Sequence, residues 1–312
     1  AFPDRIAQRR RRGASELRLV NGRGARLADA QTFAAAEFLV VWESEDRGSD
    51  ALIRLAAGLS LPALEAVAGE RLTTATVVRF DVAGRRALAE ERRTLGALVL
   101  QARPVAPASD AALACLLAGL REHGLELLEW TPELRRLRHR LAFLHAATPA
   151  DWPAVDDQTL LDELTTWLAP WLAGLEHLAA LHPQQLEQAL LGRIEPGRLR
   201  DLDRLAPTHW LAPLGSRLAI DYAPDPPVLG CRLQELFGLD RHPTVLGGRL
   251  ALALHLLSPA GRPIQVTTDL PGFWRGSYAL VRKELRGRYP KHPWPEDPLA
   301  AAPWRPGLPR RR

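Results

Sequence analysis

The sequence predicts a multidomain α+β protein, with a β-rich barrel over residues 1–108, a helical section over 109–206 and a small α+β domain over 207–312. Three observations support this division. A chain of 312 residues exceeds the usual size of one domain. Alternating strand patterns are concentrated in the first third, whereas helix start and stop signals dominate the middle. The last third contains both, and a composition of 46% apolar and 25% charged residues is typical of globular proteins.

The first section has the strand signals of a small barrel. Residues 16–20 alternate between polar and apolar side chains, Asn21-Gly22 is a strong hairpin signal, and the chain returns as a partner strand from Ala25. Further segments are predicted to form strands at 38–43, 51–55, 75–80 and 95–101, with a short helix at 62–68. Five or so strands with one interposed helix fit a small closed barrel, so an OB-like domain is expected here.

Positive charge is concentrated at the two ends of the chain. Residues 1–26 hold eight basic and two acidic residues, a net +6, while residues 275–312 hold ten and three, a net +7. Because the whole chain carries +5, residues 27–274 carry −8, which predicts an acidic body with two basic patches. The four arginines at 9–12 fit either a solvated connector or a phosphate contact. Arg23, between two glycines, fits either a plain hairpin turn or such a contact.

The middle section has the start and stop signals of several helices. An apolar segment at 111–123 ends at Gly124, and Thr131-Pro132-Glu133 has the capping residue and the early proline that open a helix. The latter helix has leucines at 134, 137, 141 and 144 on one face and basic residues on the others. Further helices are predicted at 156–167 and 183–191. The pair Trp167 and Trp171 fits core packing better than a ligand site.

The last section combines strands at 216–222 and 249–257 with a short helix at 231–236. After them, Asp269 is expected to cap a helix that ends near Gly287. One face of the helix is apolar and contains Tyr278, Val281 and Leu285. The flank next to it is cationic and contains Arg275, Arg282 and Arg286. Residues 288–295 contain too much proline for a helix or a central strand, so they are predicted to form an extended arm held by its aromatic rings.

Several of these segments together resemble a known family. Residues 266–298, with Ile220-Asp221-Tyr222, 232–238, 254–260 and 3–7, are similar to the C-terminal part of the bacterial HrpB-type ATP-dependent helicases of the DEAH/RHA group. The resemblance implies two ATPase domains upstream, which hold ATP and Mg²⁺ and move or unwind RNA. It also implies that the OB-like first section touches nucleic acid, and that this chain's partners are RNA and its own N-terminal motor domains.

The chain itself lacks the motifs of an enzyme. A phosphate-binding loop needs G-x-x-x-x-G-K-[ST], but the two lysines, Lys283 and Lys291, precede Glu284 and His292. No nucleophile elbow or zinc-hydrolase motif is present, so no catalytic, cofactor or metal-binding residue is assigned and the fragment is expected to be inactive alone. The complete lack of methionine fits a piece of a longer protein. Two isolated cysteines and the lack of a long apolar run predict a soluble, cytoplasmic protein away from membranes.

The candidate nucleic-acid site therefore combines phosphate-pairing cations with rings on which bases stack. Its predicted members are Arg275, Arg282, Lys283, Arg286, Arg288, Lys291, Trp274, Tyr289 and, in the first section, Arg23. Two other hypotheses remain open: the same domain docks a protein partner through its aromatic residues, or it supports the motor without touching nucleic acid. For Tyr289 and Trp294, pinning of the arm is the alternative to stacking.

Overall fold

The computed structural model describes residues 3–29, 33, 35–47 and 50–305. The chain divides into two compact units, the first comprising Ala1–Glu122 with Leu172–Ala180 and the second His123–Trp171 with Leu181–Arg312. Both sheets and helices are present, so the α+β prediction is confirmed. Helices from the predicted middle section occur in both units, and the three-part division drawn from the sequence stays a prediction.

The first unit begins with a closed five-stranded barrel, as the sequence predicted. Its strands are β1 (Ile6–Arg9), β2 (Glu16–Leu19), β3 (Gly24–Leu27), β4 (Phe38–Arg47) and β5 (Asp50–Leu59). They follow one another around the barrel in the order β1-β2-β3-β5-β4, with β3 and β5 parallel and the other pairs antiparallel. This Greek-key arrangement is that of an OB-fold.

Inward-facing residues of the alternating strands fill the barrel. Leu17, Leu39 and Ile53 are at most 1% exposed and form its core with small residues such as Ala7. The predicted hairpin joins β2 to β3, where Gly22 has a φ of 86° and the amide of Arg23 donates to Asn21 Oδ1 at 3.0 Å. Glycine is favoured there because it has no Cβ, which in other residues comes too close to the backbone in a left-handed conformation.

The later strands of this unit do not belong to the barrel, so their predicted place was wrong. After α1 (Leu61–Ala68), a separate three-stranded sheet contains β6 (Leu72–Asp81), β7 (Arg86–Leu95) and β8 (Leu98–Val105). Short turns bring each strand back antiparallel beside its predecessor, so pairing is satisfied within the sheet. Alternation predicts a strand but does not identify its neighbour.

Helix α2 (Ser109–His123) packs on this sheet through a glycine. An added Cβ at Gly119 would lie 2.5 Å from the ring of Phe80, so a larger residue would collide with the ring. As predicted, the helix ends just before Gly124, whose φ is 88°.

The second unit contains the predicted leucine-lined helix, α3 (Pro132–Ala147), capped by Thr131. Its leucines at 134, 137, 141 and 144 are buried. Shorter helices follow it: α4 (Asp157–Asp162), α5 (Leu164–Trp167), α6 (Ala169–Leu172), α7 (Pro183–Leu191) and α8 (Leu199–Leu205). Trp167 is 4% exposed and donates its indole N–H to the carbonyl of Leu160, which confirms its predicted core role.

A five-stranded sheet completes this unit. Its strands are β9 (His209–Leu211), β10 (Arg217–Asp221), β11 (Val228–Arg232), β14 (Ala253–Leu257) and β15 (Pro263–Thr267). A small ribbon, β12 (Thr244–Val245) with β13 (Leu250–Ala251), precedes β14. The single strand predicted at 249–257 is therefore divided, because Leu252 bonds to Pro243 and His242 instead. The helix predicted at 231–236 is shorter, a 3-10 turn at Leu233–Leu236.

Candidate nucleic-acid interface

The helix after the sheet begins as predicted but is broken in two. Asp269 caps α9 (Leu270–Arg275) by accepting the amide of Gly272 at 2.9 Å, and α10 (Tyr278–Arg288) starts three residues after α9 ends. At Gly276 the backbone leaves the helical region, with φ −107° and ψ −94°. Glycine is a weak helix former, which explains why the single predicted helix is interrupted at this position.

An aromatic cluster joins these two helices to the domain. Phe237, Phe273, Trp274 and Tyr278 lie with ring centroids 5.1 to 6.2 Å apart. Trp274 is only 6% exposed and donates its indole N–H to the carbonyl of Leu239 at 3.0 Å. The prediction that Trp274 stacks on a base is therefore wrong, because its ring is part of the core.

The segment after α10 is the extended arm that the sequence predicted, and α10 holds it by hydrogen bonds. The hydroxyl of Tyr278 donates to the carbonyl of Pro295 at 2.8 Å. Arg282 donates from Nε to the carbonyl of Trp294 at 3.0 Å and pairs through Nη2 with Glu296 at 2.8 Å. Burial raises the pKa of Tyr278 to about 12, so its hydroxyl stays protonated and remains a donor near neutral pH.

These bonds correct the role predicted for Arg282. Its side chain is 23% exposed and its donors are directed at the arm, so it is an anchor and not a free phosphate contact. Trp294 is 8% exposed and donates its indole N–H to the carbonyl of Tyr289, which confirms that it pins the arm. Tyr289 is half-buried, with its hydroxyl 3.5 Å from Ser258 Oγ, and its predicted stacking role stays a prediction.

Four cations of this segment remain available to an anion. Arg275, Lys283, Arg286 and Arg288 are exposed and make no ion pair within the described part of the chain. Lys291 in the arm is exposed as well. We name these five residues the α10 surface.

Some exposed arginines on other strands and helices are paired with carboxylates. Arg103 lies 2.7 Å from Glu91, and Arg135 lies 2.9 Å from Glu126. The hydrogen bond from Arg103 lowers the pKa of Glu91, as expected for a carboxylate that accepts from a cation. On α10 itself, Glu284 makes no ion pair with Arg275, Lys283, Arg286 or Arg288 within the described residues, so these four cations differ from Arg103 and Arg135.

A second cationic surface lies on the barrel of the first unit. Arg10, Arg11 and Arg12 are exposed in the loop between β1 and β2, and Arg18 in β2 and Arg26 in β3 are exposed on the outside of the barrel. Within the described ranges none of the five makes an ion pair. We name them the barrel surface. Sequence reasoning missed Arg18 and Arg26, although their alternation with buried Leu17 and Ala25 could have indicated an outward position.

The first arginine of the run at 9–12 has a different role. Arg9 is 5% exposed and donates to the backbone carbonyls of Phe33, Ala36 and Ala14. Arg9 is thus a buried residue that holds the neighbouring loops by hydrogen bonds to their backbone. The solvated-connector interpretation is wrong for this residue. Arg23 is half-buried in the β2–β3 turn, and its predicted contact with nucleic acid stays a prediction.

The metal-ligating and thiol side chains of the described residues are the groups on which metal or thiol chemistry would depend. They include no group of three or more His, Cys, Asp or Glu side chains placed to hold a metal ion. Burial raises the pKa of the Cys231 thiol to about 12, which keeps it protonated and unreactive near neutral pH. No helix within the described ranges has the length and apolar character needed to cross a bilayer.

Comparison with known proteins gives a matching family model, a curated relative and similar solved structures. Residues 167–298 match the model HrpB_C, described as ATP-dependent helicase C-terminal. The chain is 41% identical over 310 residues to the ATP-dependent RNA helicase HrpB of Escherichia coli K-12, covering 98% of this chain and 38% of that protein. The chain therefore spans less than two-fifths of this relative's length.

Solved structures of HrpB proteins are also similar to this chain. The crystal structure of the E. coli DExH-box NTPase HrpB is similar with a TM-score of 0.63 and 40% identity, over 98% of this chain and 38% of that one. A structure of the E. coli DEAH/RHA helicase HrpB gives a TM-score of 0.54 and 38% identity, over 94% and 37%.

The anchoring role of Arg282 can be tested by hydrogen–deuterium exchange. We expect Arg282→Ala to speed exchange at the amides of Gly238 and Trp304, which donate to the carbonyls of Pro298 and Gln234. The variant removes the bond to the Trp294 carbonyl, worth about 1.5–3 kcal/mol, and a weaker ion pair to the exposed Glu296. Lys283→Ala removes a neighbouring cation that anchors nothing, and it should leave these amides protected. Equal protection in both variants would show that Arg282 does not hold the arm.

Proposed function

This chain belongs to the HrpB family of ATP-dependent helicases and corresponds to the C-terminal part of its members, and from this premise we propose that it binds single-stranded RNA on behalf of their motor. ATP hydrolysis, with its Mg²⁺, is assigned to domains that lie outside this chain. The RNA preference is carried over from the relative named an RNA helicase.

The observation that carries the proposal is the set of exposed cations without carboxylate partners. On the α10 surface, Arg275, Lys283, Arg286 and Arg288 are free of ion pairs within the described ranges, and the α10 segment adjoins the most basic end of the chain. A cation already paired with a carboxylate must leave that partner before it contacts a phosphate, whereas an unpaired one need only release water and counterions. Each of these surfaces therefore offers a polyanion several unpaired cations that lie close together in the sequence.

The barrel supports the same function independently. OB-folds bind oligonucleotides through the face of their second and third strands and through the loop between the first two. In this chain Arg18 and Arg26 lie on β2 and β3, and Arg10, Arg11 and Arg12 lie in that loop. Proteins that bind single strands contact the phosphates with exposed cations, so both cationic surfaces suit a single-stranded nucleic acid.

A second candidate function, docking to a protein domain, is favoured by an apolar feature of the barrel. Trp42 in β4 is 69% exposed, and Leu55, opposite the next residue of β4, is 53% exposed. Exposed tryptophan beside leucine is typical of an interface anchor. The chain would then support the motor through this face while the cationic surfaces remain open for RNA.

The RNA proposal predicts a specific salt dependence. Lys283→Ala with Arg286→Ala should weaken binding of a single-stranded RNA, because fewer phosphates are then neutralised. The slope of log affinity against log salt should fall by about 0.7 for each phosphate that the variant no longer pairs. Fluorescence anisotropy titrations at several salt concentrations measure both quantities.

The matched control is Arg135→Ala with Arg136→Ala, which makes the same change in charge but removes arginines paired with Glu126 and Glu133. It should alter the slope little. If both double variants lower the affinity and slope equally, the α10 surface is no specific site and the RNA proposal fails.

The assignment of ATP hydrolysis to other domains predicts that this chain alone has no ATPase activity. The purified chain should hydrolyse no ATP, with or without RNA, because neither lysine belongs to a phosphate-binding loop. A coupled assay for ADP release measures this, with a full-length HrpB helicase as the positive control. Turnover that copurifies with the folded chain through successive columns would contradict the assignment of ATP hydrolysis to other domains.

A further inference from the structure

Strand β6 is an open edge of the three-stranded sheet. It is ten residues long and, within the described ranges, pairs with β7 alone. Residues 73–77 are all exposed. Because successive side chains of a strand point to opposite faces, this part of β6 is uncovered on both faces as well as along its free edge.

The first seven residues of this free edge also lack the features that protect such strands. Residues 72–78 contain no charge and no proline, and Thr73, Thr74, Thr76, Val77 and Val78 are β-branched. The other edge strand, β8, carries Arg103, ion-paired to Glu91, followed by Pro104. Charges and prolines on an edge discourage pairing with another chain, so β8 is protected, whereas β6 has charges only near its end, at Arg79 and Asp81.

We propose that β6 pairs antiparallel with β6 of a second copy of this chain, across a two-fold axis at Thr76, to form a continuous six-stranded sheet. Charge complementarity selects the partner and the register. Arg71 ends the 3-10 turn directly before β6. With the axis at Thr76, Arg71 of each copy comes beside Asp81, the last residue of the other copy's β6, whereas an axis at Ala75 would bring it beside Arg79.

The present partners of these two residues leave them available. Arg71 lies 3.4 Å from Asp4, with both side chains more than half exposed, and Asp81 lies 3.5 Å from Arg86. Both pairs are long, and three of their four side chains are more than half exposed, so exchanging them for a contact between copies has a small cost. An interface confined to one strand is small, which predicts a reversible dimer whose population rises with concentration.

Sedimentation velocity over a range of concentrations, with the complete chain, tests this proposal. The unmodified protein should show monomer and dimer in exchange. Thr76→Lys and Thr76→Glu each place like charges at the axis and should raise the dimer dissociation constant about tenfold or more. An equimolar mixture of the two variants should dimerise again, because lysine then lies opposite glutamate.

Two further variants complete the experiment. Gln101→Lys adds the same charge to the opposite edge strand β8 and should leave dimerisation unchanged. Arg71→Asp tests the register away from the axis and should weaken the dimer. Thermal melts establish that each variant is folded. A protein that is monomeric at every concentration, a dimer indifferent to the Thr76 substitutions, or a mixture that fails to restore it would overturn the proposal.

Discussion

The hydrogen bonds from α10 to the arm decide which residues of the C-terminal segment are structural and which remain for a ligand. Tyr278 and Arg282 donate to the carbonyls of Pro295 and Trp294, and the buried ring of Trp274 fixes the start of the same segment. A proline-rich stretch offers few backbone donors, so side-chain donors from a neighbouring helix are needed to hold it. With those groups committed, the exposed cations of the α10 surface are what this segment can present to an anion.

Local signals in the sequence predicted much of the fold, because they act within a few residues. The Asp269 cap, the Asn21-Gly22 hairpin and the leucine face of α3 all depend on short-range geometry. The sheet to which β6 and β8 belong depends on pairing between distant strands, and no local pattern encodes it. The same limit explains Arg282, because its partners lie 12 and 14 residues away in an arm whose path the sequence does not give.

The distribution of arginine links the fold to the proposed function. Genomic bias can supply arginine in any position, so its abundance carries no argument for RNA. What distinguishes positions is pairing: Arg103 and Arg135 have carboxylate partners, whereas Arg286 on α10 and Arg18 on the barrel have none in the described ranges. Unpaired cations that lie near one another repel, and the phosphates of a bound RNA would reduce this repulsion.

Ultraviolet crosslinking of a single-stranded RNA to the purified chain, followed by mass spectrometry of the adducts, tests the central claim most directly. Adducts are predicted in the peptides of the α10 surface, at 275–291, and of the barrel surface, at 10–26, and high salt should suppress both sets together. Adducts concentrated instead on the ion-paired arginines of α3, or an absence of adducts under conditions where RNA binds, would contradict the assignment of these surfaces as the nucleic-acid interface.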